Sequence, residues 1–237
     1  MAMPDVDAEA LRASLAEVRT RLAAAAARAG RDRGDVTLVA VSKTHPPEAV
    51  RVAHAAGQRL FGENYGQELR DKAAALADLR DLEWHFIGPL QRNKVKYVVG
   101  TAAMVQSVGS VELMDELHRR AAARGVDLPC LVEVNIAGEA SKSGVPPDDV
   151  AAVLDAFAAR PRLRCLGLMT MPPFVDDPQE SRPHFRALRA LRDALAARPR
   201  RGVELRHLSM GMTQDFEVAI EEGATVVRVG TAIFGAR

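Results

Sequence analysis

The chain has 237 residues, 48% of them apolar, which suffices for one sizeable core and, at this length, for one α/β barrel or two small domains. Its 32 Lys and Arg against 31 Asp and Glu leave a formal charge of +1, which argues against a general nucleic-acid or membrane-surface binder. No stretch approaches a membrane span, the acidic start MAMPDVDAEA lacks signal-peptide order, and Cys130 and Cys165 read as buried core thiols rather than a zinc motif or disulfide framework, so a reducing, cytoplasmic setting is expected.

The first 30 residues read as one helix, roughly Val6 to Ala29. Leu11, Leu15, Val18 and Leu22 share one face, and Gly30 is a plausible stop. A strand–helix alternation follows. Apolar, partly β-branched runs stand at Thr37–Ser42, Arg59–Phe61, Glu83–Ile87, Ala103–Val108, Cys130–Ile136, Leu163–Met169, Glu204–Ser209 and Ala224–Val229. Helical patterns lie between them at Pro46–Ala56, Tyr65–Leu79, Val111–Ala123, Pro147–Ala159, Gln179–Ala197 and Thr213–Glu221, with a short one near Gln91–Val99. Eight strands with crossover helices predict parallel pairing, and closure gives a single-domain (β/α)8 TIM barrel over residues 1–237, with the N-terminal helix packed on it. The alternative is an open doubly wound sheet. The segment Pro172–Pro178 is a loop.

In such a barrel, chemistry sits at the C-terminal ends of the strands. Lys43 follows the first apolar run and reads by itself either as a solvated lysine at a strand end or as one partly desolvated at a barrel mouth, a neutral amine able to condense with an aldehyde. The loops after strands seven and eight pair Ser209 and Thr231 hydroxyls with Gly211 and Gly230, which let backbone approach an anion; this predicts a phosphate site. Arg228 shares a face of the eighth strand with Val226 and Gly230. It needs a partner there, either a ligand's ring nitrogen or a carboxylate such as Glu63 or Glu133. Asn64 fits either a contact to a ring hydroxyl or a helix cap, and His85 reads as a satisfied core histidine. The six histidines lack metal-ligand spacing, and neither a serine elbow nor a nucleotide phosphate loop is present.

From about Val36 onward the chain resembles the pyridoxal phosphate homeostasis protein family. The resemblance is carried by LVAVSKTHP, FGENYGQE, WHFIGPLQRNK, EVNIAGEASKSG, GLMTMPP, LSMGMTQDFEVAI and VRVGTAIFGAR. It implies a barrel like the N-terminal domain of alanine racemases and pyridoxal 5'-phosphate (PLP) held covalently, as a Schiff base, on Lys43. It places the phosphate against Ser209, Gly211, Gly230 and Thr231, Arg228 at the pyridine nitrogen, and Asn64 near the ring.

A carrier that stores and delivers PLP, rather than an enzyme, is the expected role. Arg cannot protonate the ring nitrogen, which weakens the electron sink. The only tyrosines, Tyr65 and Tyr97, are not placed to act as a second base. The alternatives are an amino-acid racemase and a Schiff-base aldolase without PLP. Apo PLP-dependent enzymes are the implied recipients, and a monomer the simpler state. Lys94, Lys96 and Lys142 read as solvated surface groups rather than a second site.

Overall fold

Eight parallel strands pair in chain order and close on themselves, so the open-sheet alternative is excluded. Closure is made by β1 (Thr37–Val41) and β8 (Val226–Val229), in register from Thr37 opposite Val226 to Ala40 opposite Val229. Between them run β2 (Leu60–Glu63), β3 (Glu83–Phe86), β4 (Met104–Val108), β5 (Leu128–Glu133), β6 (Leu163–Met169) and β7 (Val203–Ser209). The structure is a computed structural model and describes residues 6–139 and 143–236. Lys142 lies outside the described residues.

The helices are α1 (Ala8–Arg28), α2 (Pro47–Ala55), α3 (Gly66–Ala75), α4 (Val95–Val98), α5 (Val111–Arg124), α6 (Val150–Asp155), α7 (Arg182–Ala196), α8 (Phe216–Glu221) and α9 (Thr231–Phe234). Three boundaries differ informatively from the sequence reading. β5 stops at Glu133 rather than Ile136, because the chain turns where the Gly138 N–H donates to the Asn135 carbonyl. The sixth helix is broken into α6 and two flanking 3-10 turns. α8 starts at Phe216 rather than Thr213, because the Asp215 carboxylate accepts from the Met212 N–H at 2.7 Å and folds Met212–Asp215 into a turn.

The alternating residues of each strand face different layers. On β8, Val227 and Val229 enter the apolar layer between barrel and helices, whereas Val226 and Arg228 face the lumen. On β5, Cys130 and Val132 point outward, while Leu131 joins Met104, Leu166 and Met169 in a small separate cluster inside. Both cysteines are buried and stand opposite each other on β5 and β6; burial pushes the Cys165 thiol up to about 12 and raises Cys130 as well, so both are unreactive.

α1 buries the predicted Leu11, Leu15, Val18 and Leu22 and lies against α2, α8 and α9. Its outer face is tied to α8 by Arg21–Glu217 at 2.6 Å and Arg28–Glu221 at 2.9 Å. Among the described residues no helix is long and apolar enough to cross a membrane, and no cluster of His, Cys, Asp and Glu could hold a metal ion.

Candidate functional site

A cavity of about 320 Å³ opens at the C-terminal ends of the strands. Its wall takes Val41 and Lys43 from the end of β1, Asn64 after β2, Ile87 after β3, and Arg228, Gly230 and Thr231 from β8 and the start of α9. The Met212–Asp215 turn and the apolar loop from Met171 to Pro178 complete it. Five of the residues singled out from the sequence, Lys43, Asn64, Arg228, Gly230 and Thr231, thus meet at one site. Ser209 and Gly211 are not among its wall residues.

The backbone around Lys43 is held from outside the barrel. Thr44 sits at φ 66°, a left-handed conformation that a β-branched residue rarely adopts. Its N–H donates to the Glu68 carboxylate at 2.5 Å. The buried Lys72 ammonium, one helical turn further along α3, donates to Glu68 at 2.7 Å, to Glu63 at 2.8 Å and to the Ser42 carbonyl at 2.6 Å. The Ser42 hydroxyl donates to Glu63 at 2.7 Å. Burial raises the Glu63 carboxyl, and Lys72 and Ser42 act in the opposite direction. One cation therefore fixes the residues on both sides of Lys43, whose own side chain is half-buried at the cavity wall. A strained conformation persists only where its surroundings over-determine it, and this network supplies that determination.

Arg228 forms the floor and is fully enclosed apart from its cavity edge. Its NH1 donates to the Ser209 hydroxyl at 2.5 Å and its NH2 to the Thr170 carbonyl at 2.8 Å. Neither Glu63 nor Glu133 forms the salt bridge left open by the sequence: Glu63 pairs with Lys72, and the Glu133 carboxylate accepts from Ser143. Burial pulls the Arg228 guanidinium down to about 10, against the attraction of Asp215 and Glu133, so it remains charged at neutral pH.

Ser209 is the principal departure from expectation. It is completely buried, accepts from Arg228, and donates its proton to Gln106 at 2.6 Å, so its hydroxyl serves the lumen rather than the anion loops. Gly211 also acts through packing. At φ 93°, a Cβ on it would come within 2.5 Å of the Ala219 Cβ and 2.9 Å of the Phe216 Cα. Only glycine lets β7 pass this close to α8 and bring the following turn to the cavity. At Gly230 a Cβ would stand 3.2 Å from the Val41 carbonyl, so the β8 loop closes tightly on β1.

The hydroxyls that do reach the cavity are Thr231 and Thr213, and the two loops are already linked, since the Ala232 N–H donates to the Thr213 hydroxyl at 3.4 Å. Asn64 presents a buried side-chain oxygen without a hydrogen-bond partner. Sequence reasoning missed Lys72, Glu68 and Gln106 as contributors. The i,i+4 spacing of Glu68 and Lys72 was the available signal for the first two, but that spacing usually marks a solvated pair. Gln106, in the middle of an apolar strand, gave only its polarity.

Comparison with known proteins places this geometry in context. The sequence matches the family described as alanine racemase, N-terminal domain, over residues 9–237. A pyridoxal phosphate homeostasis protein of Aquifex aeolicus is 47% identical over 223 residues, covering 94% of this chain and 96% of that protein. The structure of PipY from Synechococcus elongatus with PLP bound superimposes with a TM-score of 0.83 at 35% identity, covering 95% of this chain and all of that one (100%). An alanine racemase from Corynebacterium glutamicum shares the fold alone, at TM-score 0.70 and 20% identity, and this chain spans 63% of its length.

Proposed function

The chain belongs to the pyridoxal phosphate homeostasis protein family, and from that premise we propose that it binds PLP in the Lys43 cavity and serves PLP homeostasis by storing and delivering the cofactor. The observation that carries this reading is the convergence on one cavity of an amine, Lys43, a donor-only cation, Arg228, and two hydroxyl-bearing loops around Thr213 and Thr231.

The residues fit the group. Lys43 would hold the group through its Nζ, an amine able to condense with an aldehyde with loss of water. Thr213 and Thr231 donate to the phosphate, with Gly230 allowing its close approach and Gly211 holding the turn in place. Arg228 donates to the pyridine nitrogen and, having no proton-accepting atom, keeps that nitrogen unprotonated. Asn64, whose buried side-chain oxygen has no partner within the protein, would stand beside the ring and its hydroxyl. When bound, PLP supplies electron-sink chemistry.

The cavity is poorly furnished for amino-acid turnover. Among the described residues lining it the cations are Lys43 and Arg228, both engaged by the cofactor in this reading, so no third cation there holds a substrate carboxylate. No tyrosine lines it either: Tyr65 is 54% exposed, and Tyr97 packs beneath Arg70 and Lys96. We read the protein as a carrier rather than an enzyme, and propose a cytoplasmic monomer whose recipients are apo PLP-dependent enzymes.

The test is direct. The purified protein, loaded with PLP and reduced with borohydride, should carry a pyridoxyl group on the peptide containing Lys43 and none in Lys43→Ala. A protein that takes up no PLP, or carries it on another lysine, overturns the reading. Steady interconversion of D- and L-alanine, lost in Lys43→Ala, would favour the racemase alternative.

A further inference from the structure

We propose that His85, Gln106 and Ser209 are positioning residues, forming a one-way hydrogen-bond chain across the barrel lumen that fixes the Arg228 guanidinium against the pyridine nitrogen. This rests on the PLP reading above for its ligand, but the chain itself stands on contacts within the protein.

The polarity of the chain follows from Arg228 at one end and from the Gln106 amide in the middle, whose oxygen faces Ser209. A guanidinium only donates, so the Ser209 Oγ must accept from NH1 at 2.5 Å. The single Ser209 proton then goes to the Gln106 Oε1 at 2.6 Å. With its oxygen taken, Gln106 presents its NH2 to the His85 Nδ1 at 2.7 Å. That nitrogen must carry a lone pair, so His85 is neutral with its proton on Nε2. Four side chains from β8, β7, β4 and β3 thus have donor and acceptor roles set by Arg228 together with the Gln106 amide, whose oxygen faces Ser209, and all four are buried. Buried polar rows are costly unless every member is satisfied, and apolar residues could fill the same lumen, as Met104 and Leu131 do nearby. A fully directed row ending on the cavity floor has a function in aiming its last member. Cutting it leaves Arg228 held by the Thr170 carbonyl alone among its contacts of stated length, with freedom to rotate away from the ring.

The experiment has two arms. In the first, 15N NMR of the cofactor-free protein at pH 7.5 should show the buried His85 as the Nε2–H tautomer. A proton on Nδ1 reverses the chain and overturns the proposal whether or not PLP binds. In the second, Gln106→Leu and Ser209→Ala, checked for folding by near-UV circular dichroism, should each shift the absorption band of bound PLP and speed its loss on dialysis, on the order of tenfold. Gln106→Glu retains an acceptor for the Ser209 proton and should stay closer to the parent.

Pyridoxal, which lacks the phosphate, separates the roles. The effects of Gln106→Leu and Ser209→Ala should persist with it, whereas that of Thr231→Ala should vanish. Parent-like spectra and retention in Gln106→Leu overturn the proposal, as does a Ser209→Ala effect confined to the phosphorylated ligand. Should the parent protein bind neither aldehyde, the PLP reading fails, while the tautomer still decides the chain.

Discussion

The layer outside the barrel wall and the lumen inside it are built from opposite materials. Outside, Phe61, Phe86, Phe157, Phe185 and Phe216 lie fully buried among Leu, Val and Ala in one continuous apolar layer. Inside, a small apolar plug of Met104, Leu131, Leu166 and Met169 shares the space with His85, Gln106, Ser209 and Arg228. Apolar burial is non-directional and tolerates repacking, so the outer layer stabilises the fold without dictating where any one atom lies. Hydrogen-bonded rows are directional and fail when one member is lost, so the lumen sets the position of a few atoms while contributing little net stability. Stability and ligand geometry are thus assigned to different layers of the same strands. The Glu63–Lys72–Glu68 network is the exception, a polar group on the outer side that acts on the site.

This division can be broken most forcefully from outside. Phe61→Ala empties a fully buried site and should lower the unfolding free energy by about 4 kcal/mol in denaturant titration, while PLP retention by the folded fraction stays near that of the parent. Lys72→Met should cost about 3 kcal/mol, because it strands the buried Glu63 carboxylate, and unlike Phe61→Ala it should also weaken the PLP attachment by releasing Ser42 and Thr44. Equal retention in both variants would erase the exception.

The lumen gives a pH signature. Burial, aided by His207, pulls His85 down to about 4 from 6.5. The unfolded chain therefore binds a proton between pH 6.5 and 4 that the folded chain excludes, so stability falls as pH drops through that window, by on the order of 3 kcal/mol from this group. The facing groups are Gln106, which does not titrate, and His207, whose own lowering acts in the same direction; elsewhere the raised Glu133 carboxyl acts in the opposite one. The difference between the parent and His85→Gln curves isolates the term; parallel curves would mean that His85 takes up its proton in the folded state.

The smallest effect sharpens the outer layer. Asp7 caps α1 by accepting from the Glu9 and Ala10 N–H groups, and Asp7→Ala should cost about 1 kcal/mol, with no change in the spectrum of bound PLP.

Much of this was legible in the chain itself. The spacing of apolar runs specified eight strands and their crossovers, and the period of Leu11, Leu15, Val18 and Leu22 specified the α1 face that is buried. Alternation along VVRVG put Arg228 on one face with Val226 and Gly230, the face that the barrel turns to the lumen, and position at the strand ends brought Lys43, Asn64, Gly230 and Thr231 to one cavity. These features follow from local periodicity and from the fixed polarity of a parallel barrel, so a linear reading reaches them.

What only the tertiary structure decided was the choice of partner. Ser209 and Thr231 looked equivalent as hydroxyls beside glycines, yet one turns to Gln106, 103 residues away, and the other to the cavity. Lys72 and Glu68 drew no notice in the sequence beyond a spacing of four, yet they hold the backbone on both sides of Lys43. Periodicity tells which face of an element a side chain takes; which group meets it there depends on strand register and barrel closure, which bring distant segments within hydrogen-bond reach.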